Sequence, residues 1–377
     1  MRIVIICGAG YVSGKEKIMF SLLKGFADRG DNVYCITSAW SNGQFEDLLV
    51  SGKINYSKIR LGFISKTFNW KVLKMTMEQF IYWPRLLYDY KKIIYSFKPD
   101  IVIHTNFHHL FLLFPVVSPR KTINIYHCHE SVANTKFYKR LFHLFQKKIK
   151  LFVSVSVYVT NKLKNLGLST DKLKTIHNGV EIIEWKPNPF NRGSTFTIGI
   201  AGQVGLWKGH EELLLALDIL RNNYRKTNFK LYIFGDGTPA FIKELKELIN
   251  KKQLNEFVEW KGFVKDITNI YPDLQLVCIP SRSEEPFATA ALEAGLFAVP
   301  VIVTRRGGFP EIVIHNYNGF IVEPNSPKEI AKYLALLIED PGLAMKTGLN
   351  HQKKITQEFS TDHFISNWRN TLLQLSS

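Results

Sequence analysis

"LQLVCIPS" (274–281), "FATAALEAGLFA" (287–298) and "PVIVTRRGG" (300–308) decide the fold. The outer two are short apolar runs that end in polar or glycine residues, as buried strands do. The middle one is rich in alanine and leucine, which favour helix, and is longer than most strands. Strand, helix and strand within roughly 35 residues form the unit that sets two parallel strands side by side with a helix packed across them. Between the first strand and the helix lies "RSEEP" (282–286). Glu285 therefore falls in the connecting loop and Glu293 inside the helix, with seven residues between them.

The same alternation continues on both sides. "FTIGIAGQ" (196–203), "FKLYIFGDG" (229–237) and "FVEWKGF" (257–263) read as strands, separated by the helices "HEELLLALDILRNNY" (210–224) and "TPAFIKELKELINKKQ" (238–253). "PKEIAKYLALLIED" (327–340) is a further helix. In the first half, "RIVIIC" (2–7), "NVYCITS" (32–38), "PDIVIHTN" (99–106), "KTINIYHCHE" (121–130) and "IKLFVSVSV" (149–157) are strands, and "KIMFSLLKGFADRG" (17–30) is a helix closed by Gly30. Apolar strands alternating with helices predict α/β domains, each a parallel sheet covered on both faces. "EWKPNPFNRGST" (184–195), with two prolines and a glycine, reads as the linker. The expected organisation is an N-terminal domain over 1–185 and a C-terminal domain over 186–357. A closing helix over 358–377, capped at Ser360 or Thr361, returns toward the N-terminal domain. Two doubly wound domains of this kind are expected to face each other, with ligands in the cleft at the carboxyl ends of the strands.

Bulk properties agree. A chain of 377 residues suits two domains, and 46% hydrophobic with 21% charged residues is globular composition, which excludes a disordered chain. No apolar run reaches the ~18 residues of a membrane span. The run Ile3–Cys7 is too short for a signal peptide and reads as a buried strand. Cys7, Cys35, Cys128 and Cys278 lack CxxC spacing and sit in apolar runs, which points to a reducing, cytoplasmic compartment and away from a zinc site. Net charge is +17, unevenly spread. Residues 1–190 carry 28 Lys and Arg against 12 Asp and Glu, whereas residues 191–377 carry 21 against 20. The first half is thus suited to something anionic: a lipid surface, an acidic glycan or nucleic acid.

Pro286 sets the helix entry, so the helix is expected to start near Phe287, with Glu293 two turns in and roughly 9 Å along the axis. Unpaired amides of its first turn, around Ala288, Thr289 and Ala290, together with the helix dipole, suit a diphosphate. The small side chains of Ala288, Ala290 and Ala291 would let a ligand come close to the backbone. Spacing alone is equally compatible with an amphipathic helix carrying two exposed glutamates.

"PSRSEEPFATAALEAGLFAVPVI" (280–302), preceded by "KTIHNGVE" (174–181) and followed by "RRGGFPEIV" (305–313) and "YNGFIVEP" (317–324), resembles the retaining GT-B glycosyltransferases that carry a Glu-seven-Glu motif, the glycosyltransferase family 4-like group. "GQVGLWKGHEELLLAL" (202–217) and "LYIFGDG" (231–237) fall where that family has its phosphate-binding lysine loop and the strand after it. The resemblance spans about residues 150–345; in the first half it is looser, through "GYVSGKEKIMFSLLKGFADRGDNV" (10–33) and the histidine of "IYHCHE" (125–130).

It implies two Rossmann-like domains, a nucleotide-sugar donor on the C-terminal one and the acceptor mainly on the N-terminal one. It also implies retention of anomeric configuration without an obligatory metal or other cofactor. Carried over by position, it implies that Glu285 bonds the donor sugar's hydroxyls, Glu293 the ribose, and Lys208 the diphosphate. The donor site then comprises Gly14, Gln203, Lys208, Glu285, Phe287, Ala288, Thr289 and Glu293. His129, Glu285 and Lys208 lie nearest the chemistry. Gln203 stands where the family usually has arginine. A charge is therefore missing, and Arg282, Arg305 and Arg306 are candidates to supply it. Gly307 and Gly308 would let backbone pass close to a ligand, or simply make a turn.

Gly14 of "SGKEK" is expected at a helix N-terminus, where its amide could meet a phosphate or sugar oxygen. For His129 three readings stand open: a group that orients the sugar, a core histidine, or a His127/His129/Glu130 metal site. Two basic, aromatic stretches, "WKVLKMTMEQFIYWPRLLYDYKKIIYSFK" (70–98) and "KFYKRLFHLFQKKIK" (136–150), suit an anionic membrane face or a core-packed helix with a solvated basic side.

The expected function is transfer of a sugar, from a UDP-sugar in preference to a GDP-sugar, to a glycan or lipid-linked acceptor of surface polysaccharide or lipopolysaccharide. The enzyme would lie on the inner face of the cell membrane. The alternatives are a GT-B nucleotide-sugar epimerase and a non-enzymatic basic protein that binds membrane or nucleic acid. No nucleic-acid module is recognisable, so no nucleic-acid partner is expected.

Overall fold

In the computed structural model, which describes all residues except 9–11, 13, 63–69, 187–194 and 377 and leaves the side chains of 71, 72 and 75 undescribed, Ile3–Ile6 are wholly shut off from solvent. A run apolar at every position has no face for water and belongs in the middle of a covered parallel sheet. It is β1 (Arg2–Ile6), followed by α1 (Gly14–Asp28), β2 (Asn32–Ser38), α2 (Gln44–Ser51), β3 (Asn55–Ile59), α3 (Trp70–Ile81) and α4 (Trp83–Phe97). Then come β4 (Ile101–His104), α5 (Phe107–Leu113), β5 (Ile123–Cys128), α6 (Lys136–Phe145), β6 (Leu151–Ser154), α7 (Val157–Asn165) and β7 (Leu173–Thr175). The strands pair in the order β3-β2-β1-β4-β5-β6-β7, all parallel.

The second unit runs β8 (Phe196–Ala201), α8 (His210–Asn222), β9 (Phe229–Phe234), α9 (Pro239–Lys251), β10 (Val258–Gly262), β11 (Leu276–Ile279) and α10 (Thr289–Leu296). It continues through β12 (Val301–Thr304), α11 (Phe309–Ile312), β13 (Gly319–Val322), α12 (Pro327–Glu339) and α13 (Pro341–Glu358). Its sheet order is β10-β9-β8-β11-β12-β13, again parallel. In both sheets the strand order reverses beside the first strand of the unit, which marks the switch point where such folds hold ligands.

The chain divides into Met1–Gly179 with Thr361–Ser377, and Val180–Ser360. The closing helix, α14 (Thr361–Ser376), belongs to the first unit: Phe364, Ile365, Trp368 and Leu372 enter the same core as β1. Gly25 of α1 permits this, since a Cβ there would lie 2.0 Å from Ile365 Cδ1. Of the expected linker, residues 187–194 lie outside the described residues. Its Trp185 packs on Phe297, and the Trp185 carbonyl accepts from Gln352 at 3.0 Å, so this part is fastened to the second unit. All four cysteines are buried and unpaired.

Candidate active site

In the second unit, Lys208 closes a short 3-10 turn, Leu206–Lys208, just past β8. Gly209 follows at φ 75°, and a Cβ there would meet the Pro280 carbonyl oxygen at 1.9 Å, so only glycine lets this loop lie against the end of β11. The Trp207 carbonyl accepts from the Arg282 amide at 2.8 Å, stitching the two loops together. Lys208 Nζ thereby reaches Glu285 Oε1 at 2.7 Å, and the Ser281 hydroxyl donates to the same oxygen at 2.8 Å. Both charged side chains are largely buried, with 23% and 15% exposure. Lys208 is thus a paired site lysine with a fixed direction, unlike a solvated loop residue.

The helix starts later than the sequence predicted. Ala288 is extended at φ −83°, ψ 107°, so α10 begins at Thr289, and Glu293 sits one turn in, not two. The loop before it is braced from behind. The Gly308 amide donates to the Glu285 carbonyl at 2.8 Å, and a Cβ on Gly307 (φ 55°) would strike that oxygen at 1.9 Å. The double glycine is therefore a close approach of backbone to the Glu285 loop. Phe287 is buried, its ring 5.6 Å from that of Phe359.

No side chain caps α10, because Ala288 stands at its N-cap. The first amides of α10, at the positive end of the helix dipole, thus receive no side-chain cap. Glu293 accepts from the Tyr271 hydroxyl at 2.8 Å. Burial raises the Tyr271 pKa well above its ordinary value, with Glu293 adding to it, so the hydroxyl stays a donor.

Gln203 is exposed and makes no hydrogen bond through its side chain among the described residues. Of the arginines that could replace its missing charge, Arg282 is bound by Glu212 and, at 2.6 Å, by Glu211. Arg305 pairs with Glu323 at 2.7 Å. Arg306 alone of the three has no acidic partner among the described residues, and its Nε is buried without a hydrogen bond.

In the first unit, Gly14 is the first residue of α1. Beside it, Lys15 pairs with the buried Glu16 at 3.3 Å. Burial works to lower the Lys15 pKa, but Cys7, Glu16 and Glu130 outweigh it and raise it above its ordinary value. His129 follows the end of β5 and shares a hydrogen bond with the fully buried His127, Nε2 to Nδ1 at 3.0 Å. Burial, then His127 and Lys15, hold His129 well below the usual histidine range. Burial drives His127 down to about 3 and His104 to about 4, and burial with Lys15 takes His109 to about 3. These rings are held neutral, two of them, His109 and His129, with the help of the Lys15 ammonium. Among the described residues, no group of three or more His, Cys, Asp or Glu is placed to hold a metal ion, so His127, His129 and Glu130 do not assemble into such a site.

Sequence reasoning missed Ser281 and Tyr271. Ser281 stood in the stretch already singled out, four residues before Glu285. Tyr271 is 22 residues from its partner and follows no motif.

A family model described as Glycosyltransferase Family 4 matches residues 12–183, and one described as Glycosyl transferases group 1 matches residues 181–354. An uncharacterized glycosyltransferase of Methanocaldococcus jannaschii is 29% identical over 227 residues, 59% of this chain and 59% of that protein. The capsular polysaccharide biosynthesis glycosyltransferase CapM of Staphylococcus aureus is 30% identical over 167 residues, 44% of this chain and 43% of its own length. The chain thus spans about half the length of the curated relatives it matches. The crystal structure of Anabaena Alr3699/HepE in complex with UDP has a TM-score of 0.84 at 21% identity, covering 99% of this chain and 100% of that one, and that protein is also known with UDP-glucose. With both halves matched by successive family models and two parallel sheets of the same architecture, the chain belongs to the family 4-like glycosyltransferases of the GT-B fold.

Proposed function

We propose that the protein transfers a sugar from a nucleotide-sugar donor, with a UDP-sugar favoured, to a glycan or lipid-linked acceptor in the synthesis of a surface polysaccharide or lipopolysaccharide, retaining the anomeric configuration. The Lys208–Glu285 pair beside the uncapped start of α10 carries this reading. The amides of Thr289 and Ala290 take the diphosphate, Glu285 the sugar hydroxyls and Glu293 the ribose. When the donor's hydroxyls bond to Glu285, the Lys208 ammonium becomes free to meet the charge developing on the leaving diphosphate.

The bond from anomeric carbon to diphosphate oxygen breaks, and the acceptor oxygen bonds that carbon on the same face. The acceptor's proton leaves with the diphosphate. Positioning supplies most of the acceleration. Gly14 and the neutral His129 are the residues of the first half that the resemblance assigns to the donor sugar.

Arg306 replaces the charge that Gln203 lacks. Together with Lys208 and the helix amides it does the work a metal ion would otherwise do, so turnover is expected to persist in EDTA. UDP is favoured because the Anabaena protein binds UDP and UDP-glucose. Surface polysaccharide is favoured by the similarity to CapM. The basic first half of the chain, 28 Lys and Arg against 12 Asp and Glu, suits the anionic inner leaflet of a membrane, where a lipid-linked acceptor would lie.

Thermal unfolding with UDP, GDP, ADP and their sugars tests the donor. The true nucleotide at 100 times its Kd stabilises by about 2.7 kcal/mol. If none of these nucleotides shifts the transition, the donor assignment fails.

A further inference from the structure

Among the described side chains of α3, the apolar ones are left outward: Trp70, Met77 and Ile81 are 83%, 58% and 70% exposed, with Phe80 also at the surface, whereas Thr76 and Gln79 are buried. Both amide atoms of Gln79 are buried without a hydrogen bond, which costs free energy. An apolar helix face left to solvent marks a site of interaction. α4 continues α3 through Tyr82, whose amide donates to the Glu78 carbonyl at 3.0 Å and whose carbonyl accepts from the Leu86 amide at 2.9 Å. The segment is firmly held: Trp83 Nε1 donates to the Leu112 carbonyl at 2.7 Å, and the Arg60 guanidinium lies 3.5 Å over the Tyr82 ring.

The surroundings specify the partner's charge. Between α4 and the β2–β3 edge lies a cavity of about 500 Å³ lined by Arg2, Lys58, Arg85 and Lys92, with Asp89 the one acidic residue of its lining. Asp89 is taken by Arg85 at 3.0 Å, and Lys92 makes no ion pair among the described residues. On the other side of α4 a second cavity, of about 620 Å³, is lined by Lys91, Lys98 and Lys121 against Asp100. The second basic stretch behaves differently. In α6, Leu141, Phe142 and Phe145 are buried, so its apolar face is already used by the core.

We infer that the α3–α4 segment docks on an anionic lipid bilayer, with Trp70, Met77, Phe80 and Ile81 entering the boundary between headgroups and acyl chains and the Arg2/Lys58/Arg85/Lys92 cavity receiving a lipid phosphate. This rests on the membrane reading above and names the element that makes the contact. Apolar burial and attraction to anionic headgroups are the two contributions that hold interfacial helices to membranes, and this segment carries groups for both.

Flotation of the full-length protein with phosphatidylcholine vesicles, with and without phosphatidylglycerol, tests it. Wild type is expected to float with the anionic vesicles at low salt. M77D/I81D, which alters two exposed residues, is expected to keep the wild-type melting temperature and lose on the order of tenfold or more in vesicle partitioning. R85Q/K92Q is expected to lose binding to the anionic vesicles, with the remainder insensitive to salt. Phe137→Ser in α6 should change nothing.

If M77D/I81D floats like wild type while Phe137→Ser does not, the α3–α4 segment is the wrong element and the membrane reading survives. If wild type fails to float, both fall. A wild-type dimer in sedimentation velocity that M77D/I81D dissociates would show that a second copy covers the face, and would overturn the inference. Stabilisation by inorganic phosphate that R85Q/K92Q abolishes, without any effect of that variant on flotation, would overturn the lipid-phosphate part.

Discussion

At the carboxyl end of the six-stranded sheet ionic groups keep their charge, most of them paired: Lys208 with Glu285, Arg282 with Glu211 and Glu212, with Arg306 left without an acidic partner among the described residues. At the carboxyl end of the seven-stranded sheet the titratable rings give up their charge: His104, His109, His127 and His129 are all pushed far below the ordinary histidine range by burial. Lys15 is the local ammonium, and its field helps keep His109 and His129 neutral. On the proposed function, the difference follows from what each end would have to meet. A diphosphate needs fixed positive charge and amide donors, which Lys208 and the first amides of α10 would supply once a ligand's hydroxyls engaged Glu285. Sugar hydroxyls need neutral donors and acceptors of fixed direction, which a neutral imidazole provides and an imidazolium does not.

The largest test breaks the pair. Lys208→Ala is expected to lower kcat for sugar transfer by roughly 10²–10³-fold, the usual consequence of losing one preorganised group at a developing oxyanion. The melting temperature should hardly move, because Glu285 keeps the Ser281 hydroxyl. Glu285→Gln should do comparable damage, and the double variant much less than the product of the two, because the two side chains act as one unit. Steady-state kinetics with the donor identified by thermal shift would show this; full additivity would mean that the pair is structural.

Acid separates the two ends next. In the unfolded chain histidine titrates at about 6.5. Folded, His104 and His108 stay neutral to about 4 and His109 and His127 to about 3. Between those values the unfolded state binds more protons, so stability is full above about pH 6.5 and falls with decreasing pH, by about 1.4 kcal/mol per pH unit for each such ring. The second unit has His210 and His351 in this condition, both at about 4. The seven-stranded unit is therefore expected to open first on acidification. Hydrogen-exchange pulse labelling after a jump to pH 5 would show β4 and β5 losing protection before β11 and β12; the reverse order would contradict the assignment of neutral rings.

Gly307→Ala probes the brace behind Glu285. Left-handed backbone and a Cβ 1.9 Å from the Glu285 carbonyl together are expected to cost about 1–3 kcal/mol of stability, together with a loss of activity that exceeds the loss of fold. Urea titration and kcat measured on the same preparation separate the two effects.

How far the sequence could be read differs between these regions for physical reasons. Among the strands that were recognised, β1, β4, β11 and β12 are buried on both faces and therefore apolar at nearly every position, whereas β10, with no fully buried residue, was recognised as well. The polar edge strand β3, "NYSKI", has one buried residue and gave no such signal. The stretch that holds α3 was legible as basic and aromatic, but composition does not say which way a helix turns its apolar side chains. The loop residues Glu285 and Lys208 were legible through their motif. That they would contact each other, with the double glycine pressed against the loop from behind, depends on tertiary approach of segments 77 residues apart.

The smallest effect tests the other end of the acidic pair. Tyr271 is fully buried, stacks on Phe297 at 5.7 Å and spends its hydroxyl on Glu293. Tyr271→Phe keeps the ring and its packing, so what is lost is one hydrogen bond to a carboxylate, about 1.5–3 kcal/mol where the group is deeply buried and less where water can replace the hydroxyl. Glu293 is partly exposed, which places the expected change at the low end. If Glu293 binds the ribose, its carboxylate loses one of the bonds that fix its direction and the donor must help to order it. Kd for the nucleotide then rises about threefold to tenfold while kcat stays near wild type, a loss of uniform binding. Isothermal titration of wild type and Tyr271→Phe with the nucleotide diphosphate reads this directly. An unchanged Kd with a lowered melting temperature would assign Tyr271 and Glu293 to the core of the second unit, and would leave Lys208, Glu285 and the amides of α10 to hold the donor without them.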